Sequence, residues 1–227
     1  MRSLKESILN RSSHSGEGFK VRRRELIESW LKEYDIENYI INKDLTIDVK
    51  EDIDLDLRDL VEFPEYIQFG VVRGYFDCSY CHLKSLRGAP REVRRYFDCS
   101  SNELTSLEGA PERVEGSFDC SYNELTSLKG APETVKGNFI CSRNKLTSLE
   151  GAPEKVGRDF VCSNNQLTSL KEAPKRVEGS FYCYNNQLIS LEGCPREVGG
   201  EFACSENNRI FTEEDINKVC KVGHKII

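Results

Sequence analysis

Hydrophobic residues recur along this chain at a fixed spacing of 21 positions. Between residues 76 and 204, every copy carries a phenylalanine and, two positions later, a cysteine. The seven copies begin at Phe76, Phe97, Phe118, Phe139, Phe160, Phe181 and Phe202. A constant period without insertions is typical of a solenoid, in which each coil buries its apolar residues only against its neighbours. We therefore predict one coil per repeat.

The polar and apolar positions inside one repeat predict the path of a coil. The consensus reads F-x-C-S-x-N-x-L-T-S-L-x-G-A-P-x-x-V-x-G-x. Phe and Cys stand two positions apart, so a β-strand directs both side chains to one side, where we expect the core. The asparagine follows at a corner, where its amide can satisfy backbone groups of the next coil. Pro and Gly leave no room for a full helix on the return path, which predicts extended or short 3₁₀ structure there.

Both ends of the solenoid are expected to carry caps that cover the core. At the N-terminal side, apolar residues at helical spacing predict an amphipathic helix over about residues 21–34, and alternating segments around 39–49 predict a hairpin. Residues 53–67 resemble a degenerate first coil. At the other end, Thr212 is predicted to be the N-cap of a helix that Gly223 ends. The predicted organisation is a flexible tail (1–20), an N-terminal cap (21–57), the solenoid (58–210) and a C-terminal cap helix (211–227).

Composition and charge narrow the class of protein. The chain has 32 Lys and Arg against 38 Asp and Glu, a net charge of −6, which argues against a nucleic-acid partner. No run approaches the roughly 18 apolar residues of a membrane helix, and the first residues lack the apolar core of a secretory signal. We expect a soluble, cytoplasmic protein. The repeat explains seven of the ten cysteines as a buried ladder, without disulfides.

The segment F-x-C-S-x-N-x-L-T-S-L resembles the leucine-rich repeat pattern L-x-L-x-x-N-x-L, with Phe and Cys where Leu is usual. The short period and the following Pro most resemble the bacterial subclass, found in secreted effector ligases and in short proteins of bacteria and their phages. The resemblance covers residues 76–210 closely and 53–75 loosely. It implies a mostly β, α/β-type solenoid with parallel strands on a concave face, a surface that generally binds proteins.

In the effector ligases, the chemistry belongs to a separate C-terminal domain with a catalytic cysteine. Here the last repeat ends near residue 207 and the printed chain at 227, so we expect no ligase domain. Nor does a catalytic set, a phosphate loop or a nucleophile elbow stand out, and the three histidines are scattered at positions 14, 82 and 224. We predict a protein that is not an enzyme.

One short motif admits two cofactor readings. Cys78-Ser79-Tyr80-Cys81-His82 spells C-x-x-C-H, a pattern of c-type haem attachment, and the same residues with Cys99 could offer zinc ligands. In the repeat, however, Cys78 is a ladder residue and Cys81 stands in the asparagine column. We therefore expect neither metal nor cofactor.

The best candidate site is the predicted concave face. In a leucine-rich repeat, this face is formed by the strand residues between the inward columns. It begins with three aspartates on adjacent strands, where like charges oppose one another, and continues with apolar and aromatic residues. Arg94 and Arg95 nearby could relieve the aspartates, or a calcium ion could bridge them. The predicted partner-binding residues are Tyr75, Asp77, Tyr80, Tyr96, Asp98, Asp119, Tyr122, Ile140, Val161, Tyr182 and Tyr184.

These observations lead to two hypotheses of function. The first is a protein-binding module that uses the concave face, which the resemblance suggests is a bacterial or phage product that acts on a host protein. The second is a structural or virion-associated protein that docks through residues 1–20. The identity of the partner and the oligomeric state are not encoded in any pattern of the chain.

Overall fold

The computed structural model describes residues 16–226, and side chains from 18 to 223. It is a solenoid in which each regular coil contributes two short strands. The first kind of strand carries the valine of the return path, and successive strands pair in parallel. We call this series the Val ladder: β2 (Ile47–Val49), β4 (Phe69–Val72), β6 (Glu92–Val93), β8 (Arg113–Val114), β10 (Thr134–Val135), β12 (Lys155–Val156), β14 (Arg176–Val177) and the start of β16 (Glu197–Ala203).

The second kind of strand begins with the repeated phenylalanine and forms a parallel series that we call the Phe ladder. Its register is strict, with each Phe opposite the Phe of the next coil. Both ladders run into β16, which joins them in one sheet. The members are β3 (Ile53–Asp54), β5 (Phe76–Asp77), β7 (Phe97–Asp98), β9 (Phe118–Asp119), β11 (Phe139–Ile140), β13 (Phe160–Val161), β15 (Phe181–Tyr182) and the end of β16.

The predicted inward columns of phenylalanine and cysteine are confirmed. All seven repeat phenylalanines are fully buried, and from Phe76 to Phe181 their rings stack nearly parallel at centroid distances of 5.4–5.6 Å. The buried cysteines form hydrogen bonds as well: the Cys99 thiol donates to the Asp119 carbonyl oxygen at 3.3 Å, and Cys141 to Val161 at 3.4 Å. Each coil is thus linked to the next through its core.

The asparagine column also lies where the sequence predicts it, but it bonds the preceding coil. Asn102 Oδ1 accepts from the Leu83 amide at 2.8 Å, and its Nδ2 donates to the Cys78 carbonyl at 2.8 Å. The sequence predicts a contact with the following coil, and this prediction is wrong. The asparagine side chain points back toward the coil that precedes it. In the coil that begins at Phe76, Cys81 takes this position and its thiol donates to the Leu55 carbonyl at 2.9 Å.

The N-terminal segment begins with α1 (Gly16–Glu33), which starts earlier than the predicted residue 21. The hairpin is confirmed: β1 (Tyr39–Ile41) pairs antiparallel with β2. Trp30 covers the first coil, with its ring 6.3 Å from Phe63 and 6.1 Å from Phe69. Of the tail assigned to residues 1–20, the first fifteen lie outside the described part of the chain, and residues from 16 onward belong to α1.

The ladders extend further toward the N-terminus than the predicted cap boundary at residue 57. β2 pairs in parallel with β4, and β3 pairs with β5 so that Ile53 lies opposite Phe76. Ile53 and Leu55 are therefore the first members of the two inward columns. The spacing to the next coil is 23 residues instead of 21, which hides this coil from a search for the exact period.

At the C-terminal side, α2 (Glu213–Val219) begins as predicted and ends early. Thr212 and Asp215 form a reciprocal cap, with Thr212 Oγ1 accepting from the Asp215 amide at 3.2 Å. The predicted end at Gly223 is wrong, because Cys220 is already extended and Lys221 starts β17 (Lys221–Ile226). β17 pairs in parallel with β16, so part of the predicted cap helix is a further strand.

In every coil the return path consists of turns and bends with one short strand, and no 3₁₀ segment occurs between residues 16 and 226. Over the same residues, neither helix combines the length and the apolar character that crossing a membrane requires.

One column of the return path generates a stability prediction. The glycines at positions 88, 109, 130, 151 and 193 have φ between 85° and 96°, and Glu172 occupies the same column at 69°. A Cβ at Gly151 would lie 2.5 Å from the backbone of Leu128. We expect Gly151→Ala to lower the melting temperature by about 5 °C or more, because both φ and the close contact oppose a side chain.

The matched control is Glu172→Gly, which replaces a strained glutamate with the glycine that the other coils have in this column. Its melting temperature should equal or exceed that of the wild type. Thermal unfolding followed by circular dichroism measures both variants. A Gly151→Ala protein that melts like the wild type would contradict the close packing of the coils.

Candidate functional site

Six of the eleven predicted concave residues share one side of the Phe ladder. From β5 to β15, the second position of each Phe-ladder strand is partly exposed, while Asp54 of β3 is exposed and Ala203 of β16 is buried. We call this surface the strand face. Six of its members were predicted from the sequence, and a seventh, Asp54, was missed because the first coil has the longer spacing. Along the solenoid, the order is Asp54, Asp77, Asp98, Asp119, Ile140, Val161 and Tyr182.

The aspartates of the strand face lie directly opposite one another on neighbouring strands. Asp98 has Asp77 on one side and Asp119 on the other. Each carboxylate accepts a hydrogen bond from the amide of the serine two positions later, at 3.0 Å for Asp77 and 2.8 Å for Asp98 and Asp119. None of the three forms an ion pair within the described residues. Three like charges are thus held side by side by bonds within their own coils.

Burial raises the pKa of Asp77, Asp98 and Asp119 above the ordinary value of 3.8, and the negative charge of neighbouring aspartates raises the pKa further. The hydrogen bonds from the serines act in the opposite direction and do not cancel the effect. The charges of this column therefore lower the stability of the folded chain when no partner is bound.

The expectation that Arg94 and Arg95 relieve this column is wrong. Arg94 lies by the Val ladder, where it pairs with Glu92 at 3.2 Å and Glu115 at 3.1 Å. Arg95 pairs with Asp52 at 3.6 Å. Both arginines lie in the turn between β6 and β7, and their acidic partners lie outside the strand-face aspartate column.

On the Val-ladder side, by contrast, acids and bases are interleaved. Glu115 contacts Arg94, Arg113 and Lys136, and Arg176 contacts both Glu178 and Glu197. On the return side, Glu92, Glu115, Glu178 and Glu197 are paired with arginines or lysines, whereas no strand-face aspartate among the described residues is paired with a cation. An open groove of about 890 Å³ between Thr134 and Glu178 lies on the return side.

The predicted tyrosines occupy four different positions around the strand face. Tyr75 and Tyr96 precede their strands and stack on each other, with ring centroids 4.6 Å apart and planes within 7°. Burial and the nearby Asp77 carboxylate raise the pKa of Tyr96 to about 12. Tyr184 replaces the serine that follows the Cys column and is partly exposed. Tyr182, on the strand face, donates to Glu201 at 2.9 Å.

Tyr80 and Tyr122 stand in a column at the corner after the Phe ladder, and both side chains are more than half exposed. Their φ angles are 51° and 53°, in the left-handed region that a large side chain rarely adopts. Leu57, which the sequence did not single out, continues the column with a φ of 57° and 72% exposure. Arg143 lies 5.0 Å above the Tyr122 ring. Ser101 separates the two tyrosines in this column and Arg143 follows them, so exposed apolar and polar side chains alternate beside the acidic column.

The residues of the C-x-x-C-H motif do not converge. Cys78 is buried with its thiol on the Asp98 carbonyl, Cys81 bonds the Leu55 carbonyl, and exposed His82 lies 3.3 Å from Glu103. Within the described part of the chain, no three His, Cys, Asp or Glu side chains come close enough to hold a metal ion. This geometry favours neither the haem and zinc readings nor a calcium ion bridging the aspartates.

Comparison of the chain with protein families, curated proteins and solved structures returned no match.

The acidic column generates a prediction with a definite pH dependence. Changing Asp77, Asp98 and Asp119 together to asparagine removes three charges and keeps an oxygen that accepts from each serine. We expect the variant to have the larger free energy of unfolding at pH 7, with a melting temperature several degrees above the wild type.

The sign of the pH effect follows from the raised pKa values. Between 3.8 and the raised folded value, the native aspartates bind more protons than the unfolded ones, so the wild type loses stability as pH rises through this window. The advantage of the variant should therefore grow from pH 3 upward and level off above the window. The control is the triple change of Glu108, Glu150 and Glu192 to glutamine, which alters charge equally at acids paired with Arg87, Lys129 and Lys171. An asparagine variant less stable than the wild type at pH 7 would contradict the argument.

Proposed function

We propose that the chain is a non-enzymatic binding protein whose strand face recognises a basic surface of a partner protein. The observation that carries this proposal is the column of carboxylates without cations at Asp77, Asp98 and Asp119. Stacking of the coils does not require acids at these positions, since Ile140 and Val161 fill the same column in later coils. A partner that supplies the counterions would explain why the chain carries charges that lower the stability of its fold.

The surroundings of the acidic column fit a protein partner. Tyr80, Tyr122 and Leu57 are exposed beside it, and tyrosines combine a large apolar area with a polar end, which makes them frequent centres of binding energy. Further along, Ile140 and Val161 offer an apolar continuation. A partner segment with Lys or Arg followed by apolar residues would match this order of chemistry along the solenoid.

The finer identity of the repeat is also a proposal. The buried L-x-x-L pairs, such as Leu104 and Leu107, and the asparagine column support a leucine-rich repeat of the short bacterial type. That resemblance in turn supports a bacterial or phage protein that acts in the cytoplasm on a host protein. Docking through residues 1–20 remains the competing hypothesis, and binding experiments separate the two.

The test is affinity capture from a bacterial lysate, followed by titration of the captured protein against purified variants. We expect the triple Asp→Asn variant, which folds more stably, to bind at least about tenfold more weakly, because three charge-assisted contacts are lost. The control variant with Glu108, Glu150 and Glu192 changed to glutamine carries the same net charge and should bind like the wild type. Raising the salt concentration should weaken the wild-type complex more than that of the Asp→Asn variant.

Equal affinity of the wild type and the Asp→Asn variant would remove the strand face as the site. A partner that is retained by the Asp→Asn variant and lost when residues 1–15 are deleted would instead support docking through the tail.

A further inference from the structure

We propose that Cys194 and Cys220 are a site of oxidative modification, at which a disulfide fixes the C-terminal strand to the last coil. The two residues come from different elements: Cys194 stands on the return path before β16, and Cys220 lies between α2 and β17. This inference is independent of the proposed function of the strand face.

The fold brings the two thiols into contact. β17 pairs with β16 so that Lys221 lies opposite Glu197, and the Lys221 amide donates to the Arg196 carbonyl at 2.9 Å. This pairing places Cys220 beside the start of β16. The side chains of Cys194 and Cys220 lie close enough for each thiol to shift the pKa of the other. Two thiols that meet from separate elements are the arrangement from which a disulfide forms with little backbone movement.

This pair differs from the ladder cysteines. The ladder thiols are enclosed by the coils, and each of those from Cys78 to Cys162 donates to a carbonyl oxygen of the following coil. Cys194 is partly exposed, at a position where the preceding coils have alanine. The repeat therefore does not demand a cysteine there.

The contact also distinguishes the two thiols chemically. It lowers the pKa of Cys220 and raises the pKa of Cys194. A thiol with a lowered pKa has a larger thiolate fraction, and the thiolate is the reactive form. The partly exposed Cys194 gives a small oxidant access to the pair.

The oxidant is a peroxide. One thiol attacks the O–O bond and becomes a sulfenic acid while the peroxide is reduced to water. The sulfur of the second residue then attacks the sulfenic sulfur, forms the S–S bond and releases a second water. In total, two thiols and one hydrogen peroxide give one disulfide and two waters. A reducing thiol reverses the reaction.

The disulfide would close a loop between residues 194 and 220 that contains β16 and α2. Cross-linking restricts the unfolded chain, so the last coil and its cap should become harder to unfold. The modification would therefore act on the C-terminal end of the solenoid and leave the aspartate column at the opposite end unchanged.

The test uses the full-length folded protein with hydrogen peroxide as the oxidant. After treatment, the protein is denatured, alkylated, digested and analysed by mass spectrometry. We expect a Cys194–Cys220 cross-linked peptide and alkylation of the eight other cysteines. The oxidised protein should melt about 5–10 °C higher than the reduced protein, and dithiothreitol should reverse the shift.

Cys194→Ala is the matched variant, because alanine occupies this column at Ala110, Ala131, Ala152 and Ala173. It should melt like the reduced wild type and show no shift with peroxide. Full alkylation of both cysteines after oxidation of the wild type, or a cross-link to a different cysteine, would overturn the proposal. So would a peroxide-dependent stabilisation that persists in Cys194→Ala.

Discussion

The buried asparagine after each Phe-ladder strand is the interaction on which the rest of the structure depends. A solenoid must satisfy the backbone of every corner, and these corners lie away from water. Asn123 does this with four hydrogen bonds: its Oδ1 accepts from Leu104, and its Nδ2 donates to Cys99, Cys120 and Ser121. Two of these four partners belong to the preceding coil. The amide therefore both closes its own corner and fixes the register of the neighbouring coil.

Strict register gives the surface its organisation. Because each coil repeats the same backbone, a residue type that recurs every 21 positions becomes a column. The same rule that stacks Phe97 on Phe118 sets Asp98 beside Asp119. On the Val-ladder side, opposite charges alternate between neighbouring coils, which stabilises the stack. On the strand face, like charges lie side by side and lower the stability of the fold. A feature that lowers stability in a well-ordered fold is the expected mark of a binding surface.

Most of the architecture could be predicted from the sequence because the period is local and exact. The columns of Phe97, Cys99 and Asn102 follow from repetition and from the two-residue alternation of a strand. The first coil at Ile53 could be predicted only as a degenerate one, since one longer loop breaks the period. The end of α2 was misplaced because pairing with β16, a contact distant in sequence, outweighs the helical pattern near Cys220.

The candidate site was predictable only in part, for a related reason. The sequence places the aspartates in one column, and it also places Arg94 and Arg95 within a few residues of them. Which side of the coil those arginines take depends on the exact strand boundaries, which a pattern does not define. Leu57 and the contact between Cys194 and Cys220 depend on irregular segments at the two ends of the solenoid, where no repeat guides the prediction.

The most direct test of this dependence is the free energy of unfolding of Asn144→Ala, compared with Gln166→Ala as an exposed control in the following coil. Asn144 forms four hydrogen bonds, to Leu125, Cys120, Cys141 and Ser142, and its loss leaves buried backbone groups without partners. We predict a loss of about 3 kcal/mol or more, with a melting temperature about 10 °C lower, and no change for Gln166→Ala. Equal stability of Asn144→Ala and the wild type would contradict the claim that the asparagine column holds the coils in register.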